Sequence, residues 1–169
     1  MPAVVDICRK LDGIPLAIEL AAAAIDALGL RGVVSRLDHP LRLPATRRRA
    51  AARRHQTLRA ALDWSYRLLT EDEQRAFRLL SVFAGSFTMD AAATVAADPT
   101  YTEGEILDRL VALVAKSLVA AEADRSGTRL RLLATTRAYA FEKLLESGEV
   151  DAIVRRQEEI SQYSLRTAA

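Results

Sequence analysis

The stretch LVAAEADRSGTRLRLL, residues 118–133, is where the periodicity of this chain changes. Up to Leu118 the apolar residues recur every three or four positions, as on one face of a helix. Beyond it they fall in two short runs around Asp124-Arg125-Ser126-Gly127, a turn composition. Two strands are therefore expected, at 118–122 and 128–133, joined by a hairpin turn at 124–127. What lies upstream decides what the hairpin belongs to.

Directly before it, Thr102 precedes EGEILDRLVALVAKSL. There Ile106, Leu107, Leu110, Val111, Val114 and Leu118 line one side of a helix over 103–116, with Thr102 as its cap. SFTMDAAATVAA predicts a further helix from Thr88 or Met89, capped by Thr88. TEDEQ at 70–74 is a third start: Thr70 with Glu73 three residues on is a capping-box pattern, and acids suit a first turn. That helix carries Ala76, Phe77, Leu79, Leu80 and Phe83 as far as Gly85. Three helices followed by a hairpin is the order of a winged helix-turn-helix. Helix returns with TRAYAFEKLLES and again from Glu149 to the end.

The N-terminal third reads differently. Val4, Val5, Ile7, Cys8 and Leu11 predict a short helix over 3–11, which Asp12-Gly13 breaks. Pro15 suits the first position of the next helix, where its missing N–H costs nothing. Leu16, Ile18, Leu20, Ala23, Ala24, Ala27 and Leu28 continue that helix to Gly29, and Val33, Val34 and Leu37 suggest a further turn or two. HPLRLPATRRRAAARRHQ, 39–56, then holds two prolines, six arginines and little periodic apolar content. It reads as an exposed basic connector, either simply solvated or a docking surface for an acidic partner or phosphates. A helix over 58–69 follows, with Leu58, Leu62, Trp64, Ser65, Leu68 and Leu69.

The fold class expected is thus mainly α. A helical subdomain (1–40) and a basic linker (41–56) precede a winged-helix domain (57–148) with a three-helix core and a β-hairpin wing. A C-terminal helix (149–169) closes the chain. With half of the 169 residues hydrophobic and 27% charged, the composition is globular. Cys8 is the single cysteine, so no intramolecular disulfide can form, and a cytoplasmic location fits. The apolar run from Ile14 to Leu30 contains Glu19 and Asp26, and Asp6 and Asp12 precede it; neither a membrane span nor a signal peptide is expected.

No catalytic set stands out. There is no Gly-rich phosphate loop with a lysine, no paired-histidine spacing for a metal and no nucleophile elbow. His39 and His55 both fall in the connector. The chain is not expected to be a self-contained enzyme, nor to hold a metal. Direct DNA contact is not expected either. The third helix offers Glu103, Glu105 and Asp108 against Arg109 and Lys116, and carboxylates repel phosphates. Arg125, Arg129 and Arg131 are the cations of the wing.

Longer runs carry a family resemblance. ICRKLDGIPLAIELAAAAI (7–25), RHQTLRAALDWSYRLLTEDEQRAFRLLSVFAGSFTMDAA (54–92), LVALVAKSLV (110–119) and LRLLATTRAYAFEKL (130–144) resemble the part after the Walker motifs in NB-ARC-type signalling ATPases of the STAND class. The bacterial branch of AfsR-like and LuxR-like transcriptional regulators is the most similar. The resemblance spans roughly residues 4–148. It implies a helical domain, in part, plus the winged helix of a nucleotide-switched regulator whose nucleotide-binding domain and possible helical-repeat sensor are separate from this chain. Gly13-Ile14-Pro15 matches the family's GxP motif, whose proline packs against adenine; read locally, Pro15 is also an ordinary helix starter, and the two readings are compatible. The family's Met-His-Asp motif falls on Leu132, Leu133 and Ala134, without the imidazole or the acid, which puts phosphate sensing by this domain in doubt. Arg137 lies nearby, placed to meet nucleotide or Glu142. ADP or ATP is implied for the parent protein only, a slow ATPase switch, and no cofactor for the isolated chain. The reading from a different class is a free-standing winged-helix DNA-binding transcription factor, and a third is a protein-interaction module using the basic connector.

Overall fold

The computed structural model describes residues 2–37, 49–96, 102–124 and 127–149. They form two compact units. One comprises residues up to Leu68 together with Leu133–Tyr139, the other Leu69–Leu132 with the residues from Ala140 onward.

The first unit opens with α1 (Pro2–Lys10) and α2 (Pro15–Val34). α1 ends because Asp12 and Gly13 both turn left-handed, with φ of 54° and 67°. Gly13 N–H reaches back to Cys8 C=O at 3.0 Å and Asp12 N–H to Arg9 C=O at 3.0 Å, the paired bonds that close a helix end. Pro15 then starts α2, behind an Ile14 that offers no capping side chain. Ala17, Ala21 and Ala24 are buried with Ile7 and Leu11; their small side chains let α1 lie close against α2. Gly29, at φ 68° and ψ 165°, leaves the helical path, so α2 is two helical pieces that meet at a kink, as the sequence expects, and Val33 beyond it is fully buried. α3 (Arg49–Arg67) packs on α2. Its exposed side includes Trp64, 64% accessible, and Leu68, 59% accessible, follows its last residue.

The second unit runs α4 (Glu71–Leu80), β1 (Phe87–Thr88), α5 (Met89–Ala96), α6 (Glu103–Ala115), β2 (Ala120–Asp124) and β3 (Gly127–Arg131). α7 (Ala134–Ser147) begins in the first unit and ends in the second. Two capping boxes start helices here. Thr70 accepts from Glu73 N–H while its own N–H donates to the Glu73 carboxylate at 2.9 Å, and Thr102 with Glu105 repeats the arrangement. The strands order β1-β3-β2, all antiparallel, with Phe87 opposite Leu130 and Glu122 opposite Arg129. Phe77, Leu80, Leu110, Leu113, Leu130 and Leu144 form the buried centre. Each such side chain contributes roughly 1.5–3 kcal/mol of transfer free energy.

The fold is mainly helical with one small sheet, as the sequence pattern predicts. Three details differ. α3 starts at Arg49, not 58, so the second half of the expected linker is helix; arginine and alanine propagate a helix without any apolar periodicity. The sheet has a third strand, β1, too short to show a period of its own. β2 and β3 occupy Ala120–Asp124 and Gly127–Arg131, a shift of two residues for the first. The expected helix from 149 onward, the linker at 41–48 and Arg125-Ser126 of the turn lie outside the described residues, apart from Glu149 itself. Among the described residues no helix is long and apolar enough to cross a membrane.

Candidate functional site

Two places carry chemistry, one in each unit. In the first, the turn between α1 and α2 exposes Gly13 and Pro15. A Cβ added at Gly13 would meet nothing within 4 Å, so the turn faces open space. Asp12, beside it, directs its carboxylate at the start of α7: Ala134 N–H donates to Asp12 Oδ2 at 2.6 Å. Leu132 and Leu133 precede α7 and have no side-chain acceptor, so this helix takes its N-terminal cap from 122 positions away. The negative charge also suits the positive end of the helix dipole. Arg137 N–H closes the first turn of α7 on Leu133 C=O at 2.7 Å. The structure thus joins the turn of Gly13 and Pro15 to the segment bearing Arg137. Sequence reasoning treats Asp12 only as a helix breaker; the signal for its role is the lack of any capping residue before Ala134.

Deeper in the same unit, Tyr139 is 1% accessible and donates its phenol proton to Asp63 Oδ1 at 2.6 Å. Burial, reinforced by the Asp63 carboxylate, pushes its ionisation far above the ordinary phenol range. Tyr66 meets the Tyr139 ring edge-on at 5.8 Å. This is an anchor for α3 on α7, not a catalytic arrangement.

The second place is α6, the helix that enters the major groove when a winged helix docks on DNA in the usual way. Its cation Arg109 and the Lys116 that caps its C-terminus are both tied to the first turn of α4. Lys116 Nζ contacts the two carboxylate oxygens of Glu73 at 2.7 and 2.6 Å, and Arg109 Nη2 contacts Asp72 Oδ2 at 3.2 Å. Burial works to raise the Glu73 pKa, but the Lys116 ammonium and the Thr70 N–H outweigh it and hold the carboxyl below its usual range. The exposed positions of α6 include Glu105, Asp108 and Val111, the last 59% accessible. In the wing, Arg131 pairs with Glu122 at 2.7 Å, and Arg129 donates to Ser86 Oγ at 3.1 Å and Ser86 C=O at 3.3 Å. Among the described residues no group of His, Cys, Asp and Glu could hold a metal ion.

Three helices, a strand pairing between the first two, and a hairpin after the third define a winged helix-turn-helix domain. Residues 69–145 match the family model of that description, the winged helix-turn-helix domain. The chain as a whole is 49% identical over 156 residues to a protein of Mycobacterium bovis named "Putative HTH-type transcriptional regulator", and to its namesake in Mycobacterium tuberculosis. The match covers 92% of this chain and 18% of those proteins. It is also 45% identical over 152 residues to a Mycobacterium tuberculosis protein named "Uncharacterized protein", covering 89% of this chain and 39% of that one. The chain therefore spans only a minor part of the length of these relatives. Of the two readings of the sequence, these comparisons favour the winged-helix transcription regulator over the nucleotide-switched ATPase.

Proposed function

We propose that the chain is a regulatory winged-helix module of a transcriptional regulator, and that its α6 face does not read bases. The observation that carries this is the pairing of Arg109 and Lys116 with Asp72 and Glu73, which leaves Glu105 and Asp108 on the surface. Specific docking needs phosphate neutralisation as well as base-edge contacts, and an acidic face opposes both. The winged-helix transcription factor remains the reading that the relatives' names favour. Substitution separates the two. Arg109→Ala and Lys116→Ala are expected to lower thermal stability and leave affinity for duplex DNA unchanged within about twofold. A tenfold or greater loss of DNA affinity, about 1.4 kcal/mol, would overturn the proposal for α6.

The finer reading is that the module belongs to a nucleotide-switched parent. The Asp12–Ala134 hydrogen bond supports it, since it joins the Gly13-Ile14-Pro15 turn to the segment of Arg137. The exposed Pro15 ring and the open space at Gly13 fit the adenine side of a nucleotide. Nothing in the turn supplies phosphate contacts, which fall to a nucleotide-binding domain of the same parent. ADP or ATP would then shift the parent between two states by its differential affinity for them. The isolated chain is expected to show no saturation by ADP below about 1 mM, a binding free energy of about −4 kcal/mol. Pro15→Ala in a polypeptide extended through that domain should weaken ADP by roughly tenfold. Micromolar ADP binding by the isolated chain, or no effect of Pro15→Ala, would contradict this reading.

A further inference from the structure

After α7 the chain turns at Gly148, left-handed at φ 74°, whose N–H reaches back to Leu145 C=O at 3.4 Å. The turn sets Glu149 against α4, where its one carboxylate meets three side chains. Arg75 Nε donates to Oε1 at 3.3 Å, and Arg78 donates to Oε2 from Nε at 3.1 Å and from Nη2 at 2.9 Å. Ser147 Oγ lies 2.9 Å from the same Oε2 and 2.9 Å from Leu144 C=O, its one proton shared between them. The Arg75 and Arg78 side chains are 29% and 15% accessible, whereas Ser147 is exposed. One oxygen atom of Glu149 thus stands between an exposed serine hydroxyl and a fork of two arginines one turn apart on α4.

We propose that Ser147 is a phosphorylation site, and that its phosphate takes the Arg75–Arg78 fork from Glu149 and releases Glu149 from α4. The phosphoryl group comes from a nucleoside triphosphate on a protein serine kinase. Ser147 Oγ bonds the γ-phosphorus, the bond to the bridging oxygen breaks, the hydroxyl proton passes to a kinase carboxylate, and the nucleoside diphosphate leaves. A phosphoryl oxygen carried on Ser147 Oγ falls where Glu149 Oε2 now lies. Arginine forks suit phosphate oxygens, and the phosphate brings about −1.5 to −2 of charge against the single charge of Glu149. At the C-terminal end of α7 the helix dipole opposes an added anion, and the fork supplies the cations that offset it. The chain continues from Glu149 to Ala169, so the exchange changes where that continuation is anchored. The inference is independent of whether α6 reads bases.

The test compares the full 169-residue chain, unmodified and with phosphoserine incorporated at position 147 during synthesis, by urea unfolding. In the unmodified chain Glu149→Gln should raise the unfolding constant about fivefold, and Arg78→Ala at least as much. In the phosphorylated chain Glu149→Gln should change it by less than about 1.5-fold, while Arg78→Ala keeps its full effect. An equal cost of Glu149→Gln in both chains, or an Arg78→Ala effect that vanishes on phosphorylation, would overturn the exchange of partners. Access to the hydroxyl is tested with ATP and a serine kinase chosen because it phosphorylates a free peptide of residues 141–153. The folded chain should take phosphate on Ser147, located by mass spectrometry of its fragments. A folded chain left unmodified at Ser147 under conditions that convert the peptide would overturn the assignment of the site.

Discussion

Ala134 donates its backbone N–H to the Asp12 carboxylate at 2.6 Å, across 122 positions of sequence. Asp12 is itself held left-handed at φ 54°, a conformation that aspartate and asparagine tolerate better than most residues. The same residue therefore ends α1 and caps α7. One side chain fixes the turn of Gly13 and Pro15 to the segment that carries Arg137.

Asp12→Ala removes the cap and leaves a Cβ-bearing residue with no local compensation in the left-handed region. The expected loss is about 1–2 kcal/mol. Asp12→Asn keeps both an acceptor and the backbone tolerance, and should lose less than half as much. Urea unfolding with unchanged denaturant slope measures both. Equal midpoints for wild type and Asp12→Ala would remove the cap from the account.

α6 ends with the same kind of closure as α1. Ser117 lies at φ 58°, its N–H bonds Val114 C=O at 2.9 Å, and Leu118 N–H bonds Leu113 C=O at 3.0 Å. Glycine fits this position without the Cβ penalty. Ser117→Gly should raise stability by about 0.5–1 kcal/mol, net of the extra chain entropy of glycine. A destabilisation on thermal melting would contradict the strain assigned to Ser117.

Acid sensitivity should come from Glu73 and Glu149. Burial raises both, but Glu73 is brought below the usual range by Lys116 and Thr70, and Glu149 by Arg78, Ser147 and Arg75. A depressed folded-state pKa stabilises above the unfolded value and loses that stabilisation as pH falls through the folded one. Thermal midpoints should therefore be level from about pH 6 to 8 and fall below about pH 4.5. Glu73→Gln should start lower at neutral pH and show a shallower acid decline; a parallel decline would contradict the assignment.

Tyr139 should resist alkaline titration. With the Tyr139 phenol buried and bonded to Asp63, the alkaline rise in absorbance at 295 nm while the fold persists should be the same for the wild type and for Tyr139→Phe. Tyr139→Phe leaves the Asp63 carboxylate without this donor and should cost about 1–3 kcal/mol. A smaller rise in Tyr139→Phe than in the folded wild type would refute this environment.

Local chemistry made much of the winged helix legible. Thr70 with Glu73 and Thr102 with Glu105 mark helix starts through bonds made within one turn, and the period change after Leu118 marks the hairpin. What escaped depends on partners distant in sequence. β1 exists because Phe87 and Thr88 pair with Leu130 and Arg129, and two residues cannot display a period. The start of α3 escaped because Arg49–Gln56 has helix-forming residues but no apolar face. The pairing of Lys116 with Glu73 is likewise invisible to spacing, so the sequence shows two cations on α6 where the fold has both engaged.

The central claim is that α6 does not read bases. Selection of tight binders from a randomised duplex pool, followed by competition of the selected duplex against the starting pool at fixed salt, tests it most directly. The account predicts an affinity ratio below about 10 between selected and random duplex, the behaviour of backbone contact alone. A ratio of about 10³ or more, lost on substitution of exposed α6 residues such as Glu105 or Asp108, would contradict it.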